Sequence, residues 1–145
     1  ATVQNLKLAY KSREPRGAID AVLHAGDTRI RTLVTHLGLT YRERRFQVSA
    51  LREALEAGEA ADVSILMGDM NEWISRRLMA RAFTPTPFAT MITGRTFPSR
   101  WPIFPLDCIF VGPKPATCVG RIVRIRSARL ASDHLPVVAD LSWEP

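Results

Sequence analysis

Apolar residues recur along this chain in short blocks, and the spacing within each block predicts an element. Arg29 to His36 alternates Ile30, Thr32, Val34 and His36 against Arg31, Leu33 and Thr35, the two-residue period of a strand. Gly17 to His24 has the same character, and Ala25-Gly26-Asp27 is a turn, so the two runs predict a hairpin. Val3 to Ala9 reads as an edge strand, and the polar, proline-bearing stretch Lys11 to Arg16 as a loop. From Tyr41 to Glu59 the period changes: Val48, Leu51, Ala54 and Leu55 share one helical face, Arg and Glu fill the other, and Gly58 marks the end. Val63 to Met67 (VSILM) is a buried strand running into Gly68, and Trp73 to Phe83 is a second helix.

Further on the pattern loosens. Pro85, Pro87, Pro98, Pro102 and Pro105 oppose regular structure and predict a long ordered loop from Thr84 to Pro105. Its aromatics, Phe88, Phe97, Trp101 and Phe104, argue for packing within a binding loop. Trp101 either stacks on a base or fills the core, with packing the leading expectation. Leu106 to Val111, Thr117 to Arg126 and Leu135 to Leu141 are three further strands, the last buried and opened by a proline. Strands with interspersed helices place the chain in the α/β class.

Composition adds three constraints. The 145 residues suit a single domain, 1–145, with one core. Apolar runs fall far short of the roughly 20 residues of a membrane-spanning helix. The N-terminus has no apolar segment of a signal peptide, and it begins without Met. Twenty Lys and Arg against fourteen Asp and Glu leave +6, which favours polyanionic partners such as nucleic acid, inositol phosphates or anionic lipid. The arginines are scattered and form no block, so a merely solvated surface stays open. Cys108 and Cys118 have neither metal-ligand spacing nor a disulfide framework. If residues 106–120 formed a hairpin they would face each other; two buried free thiols in a reducing cytoplasm is the preferred reading.

The candidate chemistry lies where apolar runs meet loops: Thr35-His36, Gly68-Asp69-Met70-Asn71, Leu106-Asp107 and Ser132-Asp133-His134. Catalytic groups concentrate at such places because a rigid strand aims them and the loop frees them. Taken singly, each has a plain structural reading. Asp69 caps a turn, Asn71 makes an Asx turn, and His36 sits half-buried on a strand face. Asp107, inside a strand, needs a partner, and an imidazole is a natural one. His134 titrates near neutrality and is adjacent to Asp133, a hard oxygen donor.

Jointly and in this order, TH, GDxN, LDxIF and SDHxPV resemble the endonuclease/exonuclease/phosphatase (deoxyribonuclease-I-like) superfamily. The flanking EPRGAID, THLGL, RERRFQ, GDMNEW and RTFPSRWPIFPLDCIFV resemble its small bacterial members, and the likeness runs from about Glu14 to Leu141. The resemblance implies part of a four-layer α/β/β/α sandwich with mixed and antiparallel sheets. It implies that Asp69 orients or deprotonates the attacking water. Asn71 binds the scissile phosphate and steadies Asp69, while His134 stabilises phosphoryl charge or acts as acid or base. Asp107 holds His134, and His36 matches a further catalytic histidine. The implied metal ligands are Asp133 and Asp69, and the implied ion is Mg²⁺, with Mn²⁺ an alternative. Mg²⁺ prefers carboxylate and water oxygens, and it neutralises a phosphodiester's charge. Arg95 and Arg100 in the proline-rich loop, with Asn71, are the candidate substrate contacts.

Members of the family also carry an earlier strand with an Asn and a later one ending in a metal-binding Glu. Only sixteen residues precede Gly17, and none matches. The expectation is an N-terminally truncated domain, inactive alone, within a Mg²⁺-dependent phosphodiesterase of nucleic acid, phospholipid or inositol phosphate. The alternative is a degenerate, non-catalytic module that grips polyanions through its arginines. Convergence of Asp69, Asn71, Asp107, Asp133 and His134 on one cleft separates the two.

Overall fold

A computed structural model describes residues 1–74, 76–83 and 87–143, apart from the side chain of Arg76. Its strands and helices follow in the order β1 (Thr2–Lys7), β2 (Gly17–Ala25), β3 (Thr28–His36), α1 (Tyr41–Ala57), β4 (Val63–Asp69), α2 (Arg76–Ala82), β5 (Thr90–Thr93), β6 (Asp107–Gly112), β7 (Thr117–Ile122), α3 (Arg126–Ala131) and β8 (Val137–Ser142). Six strands form one mixed sheet in the order β1-β2-β3-β4-β6-β5, and β7 pairs with β8 in a second sheet. The only parallel pair among the described strands is β3 with β4, joined by α1 as a crossover.

Alternation along the central strands sorts their residues between two faces. Leu33, Leu66 and Phe110 lie in register on one face and are all buried. They meet Leu51 of α1 and Met79 of α2 in a core that also takes in Leu8, Leu37, Met70, Phe83 and Cys108. Val34, Met67 and Ile109 lie in register on the opposite face and line a hollow with Pro136 and Val137, so β8 leans on that side. Toward β1 this second face is more open, and Val3, Ile19 and Val34 are all exposed.

Helix α1 starts at Thr40, whose hydroxyl accepts from the amide of Glu43. Its first turns bury polar groups. Gln47 accepts from the Gly38 amide at 2.7 Å and donates to the Leu8 carbonyl at 3.2 Å, while Arg44 donates to the Leu39 carbonyl at 2.6 Å. Its last turn is held by Arg31 of β3, which donates to the Ala54 and Leu55 carbonyls at 2.8 and 3.1 Å. The same guanidinium forms a two-pronged pair with Asp20 at 2.7 and 3.0 Å.

Several sequence expectations need correction. The loop 84–105 contains a strand, β5, which the edge of β6 recruits despite the flanking prolines. Residues 106–120 are not a hairpin: β6 pairs with β4 and β5, and β7 with β8, because the chain leaves one sheet for the other after Gly112. Both cysteines are free; Cys108 is buried, but Cys118 is exposed on the two-stranded sheet. That sheet also leaves β8 half-buried rather than buried. Thr117 to Arg126 is a strand only as far as Ile122, and helix α3 follows. The second helix begins at Arg76 instead of Trp73; Ser75 and Thr84–Thr86, parts of the expected helix and loop, lie outside the described residues. Among the described residues no helix is long and apolar enough to cross a membrane.

Candidate active site

Three adjacent strands end together and deliver charged groups to one edge of the sheet. The parallel register of β3 and β4 sets His36 beside Asp69, and the antiparallel register of β4 and β6 sets Asp69 beside Asp107. Laterally paired residues point to the same side, so these two strand pairings fix all three. Gly68 makes the close approach possible. Its φ is +143°, and a Cβ there would lie 1.8 Å from the Thr35 carbonyl oxygen.

Asp69 is then aimed by its own turn. The Asn71 amide donates to Asp69 Oδ1 at 2.8 Å. Asn71 takes a φ of +49°, a left-handed conformation that Asn tolerates better than most residues. Its side chain is buried, and its Nδ2 donates to the Leu37 carbonyl at 2.8 Å, tying the β4 turn to the end of β3. Asp69 Oδ2 faces two histidines, His36 Nε2 at 3.3 Å and His134 Nε2 at 3.8 Å.

His134 comes from a distant part of the chain. Its amide donates to Ser132 Oγ at 3.1 Å. The proline-rich loop clamps this segment from both sides, the Ser99 amide donating to the Asp133 carbonyl and the Leu135 amide to the Thr96 carbonyl, at 2.6 and 3.0 Å. The Phe97 ring lies 4.8 Å from the imidazole, centre to centre. His134 Nδ1 sits 2.8 Å from Asp107 Oδ2. A carboxylate only accepts, so Nδ1 carries the proton and Nε2 is turned toward Asp69.

The electrostatics follow from this crowding. Burial raises the Asp69 pKa and the neighbouring Asp107 carboxylate adds to the rise; the Asn71 amide and the two histidines only partly offset it. Burial alone would lower the His134 pKa, but the hydrogen bond and charge of Asp107, with Asp69 and Asp133, push it up. Asp69 is therefore a stronger base, and His134 a more persistent cation, than either would be in water.

One ligand atom from each of Asp69, Asp107 and His134 lies within 4.8 Å of the others. Two carboxylates this close, one already disfavouring the other's ionisation, suit a hard divalent cation. The donor set thus fits a metal, although Asp107 is also engaged by the imidazole.

The structure brings together four of the sequence candidates, Asp69, Asp107, His134 and His36, with Asn71 bracing them from below. Asp133 stands beside this group: its carboxylate is exposed, near enough to add to the field on His134 but outside the three-donor set. Arg95 and Arg100 are exposed on the proline-rich loop, and Arg100 lines a cavity next to Asp133. Ser132 and Phe97, which position His134, carry no chemistry of their own to single them out in the sequence. The TFPS and SDH stretches contain them, but only the fold sets one against the other.

No family model matches the sequence, and no curated protein matches it. Solved structures do. An endonuclease/exonuclease/phosphatase from Beutenbergia cavernae superposes with a TM-score of 0.76 at 21% identity, over 99% of this chain and 45% of that one. A mannosyl-6-phosphatase from Bacteroides thetaiotaomicron gives 0.71 at 19% identity, over 99% and 66%. D. rerio TDP2, complexed with single strand DNA product, gives 0.65 at 15% identity, over 94% and 65%. This chain thus spans between 45% and 66% of the length of these three structures. It has the fold of the endonuclease/exonuclease/phosphatase superfamily, the family that its strand-end motifs resemble.

Proposed function

We propose that this domain belongs to a Mg²⁺-dependent phosphoester hydrolase acting on a phosphodiester, with nucleic acid among its substrates. The observation that carries this reading is the convergence of Asp69, Asp107, His134 and His36 on one edge of the sheet from four separate stretches of chain. A module that only grips polyanions needs exposed arginines. It has no use for two carboxylates held so close that Asp107 opposes the ionisation of Asp69.

Each residue then has a task. Asp69, made more basic by burial and by Asp107, orients the attacking water and takes its proton. His134, held as a cation by Asp107, donates from Nε2 to the phosphoryl oxygens as charge develops on them. Asp107 accepts from Nδ1 and so keeps the protonated Nε2 aimed away from it. His36, whose Nε2 also faces Asp69 Oδ2, contacts a second phosphoryl oxygen in this reading. Asn71 sets the Asp69 carboxylate through its backbone amide, and its side chain holds the turn on Leu37. Asp69 and Asp107 are the carboxylates to hold Mg²⁺, with Asp133 at the rim. When bound, the ion neutralises phosphoryl charge and eases departure of the leaving oxygen.

The test is hydrolysis of bis(p-nitrophenyl) phosphate with Mg²⁺ or with EDTA, by the protein and by its Asp69→Asn and His134→Ala variants. Turnover that survives EDTA or both substitutions sinks the reading. The solved structures that share this fold are longer, and we infer that the 145 residues alone turn over slowly. Family-like rates from this chain by itself would refute that inference. The free thiols of Cys108 and Cys118 suit a reducing compartment such as the cytoplasm.

A further inference from the structure

The proline-rich loop does something that its composition hides. Its backbone is pinned between Phe97 and Phe104: these two residues exchange hydrogen bonds, the Trp101 amide donates to the Pro98 carbonyl at 3.0 Å, and the Ser99 amide is fixed to Asp133. Trp73 packs edge-on against Phe97 and Phe104, with ring centres 5.7 and 5.0 Å away, and Thr96 and Ser99 are buried. On this rigid base Trp101 is nonetheless 80% exposed. The loop has aromatics that pack, and Trp101 is not one of them.

Trp101 lines a cavity of about 730 Å³ together with Arg100, Arg129, Leu130, Ser99, Ser132 and the exposed Asp133. Ser132 also lines the hollow that holds Asp107 and His134, so the two spaces adjoin. Arg100, Arg129 and Leu130 are exposed, and among the described residues neither arginine has an acidic partner. A large flat apolar face that shares one cavity with two guanidinium groups suits a ligand with a flat ring and an anion a few ångströms apart. A sugar phosphate or an inositol polyphosphate would use the arginines and leave the indole idle. A nucleotide uses both.

We propose that this cavity binds the nucleotide next to the scissile phosphate, its base stacked on Trp101 and its outer phosphate held by Arg100 and Arg129, so that the substrate is single-stranded nucleic acid. This deepens the hydrolase reading above and rests on it for the place of the scissile bond. Stacking needs a base face free of its pairing partner's stack, which a single strand offers and a duplex does not. The size of the cavity suits about one nucleotide with its flanking phosphates.

The experiment separates the base from the charge. In EDTA, where turnover does not interfere, fluorescence anisotropy compares a labelled oligothymidylate with an abasic oligomer of equal length and equal charge. The expected result is tighter binding of the base-bearing strand by about tenfold to a hundredfold, a preference lost in Trp101→Ala and largely kept in Trp101→Phe. Arg129→Ala should weaken both oligomers together and flatten the salt dependence. Equal binding of the two oligomers by the unaltered protein, or no binding of either, overturns the proposal. So does an affinity for phosphatidylcholine–phosphatidylserine vesicles that depends on Trp101 when oligomer binding does not, since the indole would then be a membrane contact. Base preference together with turnover that survives EDTA would spare this subsite and sink the hydrolase reading; EDTA-sensitive turnover without base preference would do the reverse.

Discussion

Two groups of charged side chains sit in the same sheet and are solved in opposite ways. At the start of β3, Arg31 and Asp20 are both buried and well matched: two hydrogen bonds join them, Gln4 adds a third to Asp20, and two α1 carbonyls accept from further guanidinium donors. At the end of the same strand and its neighbours, Asp69, Asp107 and His134 are only partly buried, and two negative groups lean on one imidazole. The pKa shifts record the contrast. Burial pushes Asp20 upward, but Arg31 and Gln4 outweigh it and its pKa falls below the usual value. Asp69, with weaker compensation, rises. A matched pair holds a helix to a sheet, whereas a mismatched cluster has affinity left over for a ligand.

The largest expected effect tests the functional half of this contrast. Asp69→Asn and His134→Ala should each lower phosphodiester hydrolysis by roughly 10²–10⁴-fold while the protein stays folded, measured by steady-state kinetics and by circular dichroism. Asp69→Asn should also leave thermal stability unchanged or raised, because it removes a charge that the fold disfavours. A marked loss of stability in that variant would mean that Asp69 is structural.

The structural half should behave in reverse. Asp20→Ala leaves the Arg31 guanidinium buried without its partner, and an expected loss of about 3–5 kcal/mol is readable by denaturant titration. Activity per folded molecule should be unaltered. If Asp20→Ala costs less than about 1 kcal/mol, the pair has no more than a surface ion pair's worth and the contrast fails. A smaller effect is expected where the two functions share a strand. Gly68→Ala forces a side chain into the left-handed region, an expense of about 1–3 kcal/mol before the Thr35 carbonyl is displaced. It should also disturb the spacing of His36 and Asp69, so stability and hydrolysis should fall together.

The smallest effect is in pH. In metal-free protein, Asp69 and His134 both have folded pKa values above their unfolded ones. Each therefore contributes stability that is complete below the unfolded value and is lost as pH rises through the folded one. Asp20, lowered, contributes stability above its unfolded value that is lost only as pH falls through the folded one, in the strongly acid range. Thermal scans in EDTA should show the site's contribution declining from weakly acid toward neutral and mildly alkaline pH. Asp69→Asn should flatten its acid part and His134→Ala its upper part. A decline identical in both variants and the unaltered protein would place its origin elsewhere.

Local pattern alone was enough for much of the architecture. The alternation of Arg29 to His36, the helical spacing of Tyr41 to Glu59 and the apolar run at Val63 each gave the element now seen as β3, α1 and β4. The period of an amphipathic segment reports which face is buried, and that information is contained in a few neighbouring residues. The strand-end positions of Asp69, Asp107 and His36 were legible for the same reason. β5 was not, because its four residues pair only through the edge of β6. Nor was α3, six residues with none buried.

What tertiary structure alone decided was which of those ends meet. The β3–β4–β6 register sets His36, Asp69 and Asp107 side by side, and the loop from Thr96 to Ser99 presses His134 against them across many intervening residues. It likewise turned Trp101 outward, against the expectation that it packs, while Phe97 and Phe104 took the space beneath. Residue types and their local period describe what each segment prefers to bury. Which competitor wins a shared interior, and which charges end within reach of each other, depends on contacts between segments far apart in the chain, and no local pattern contains them.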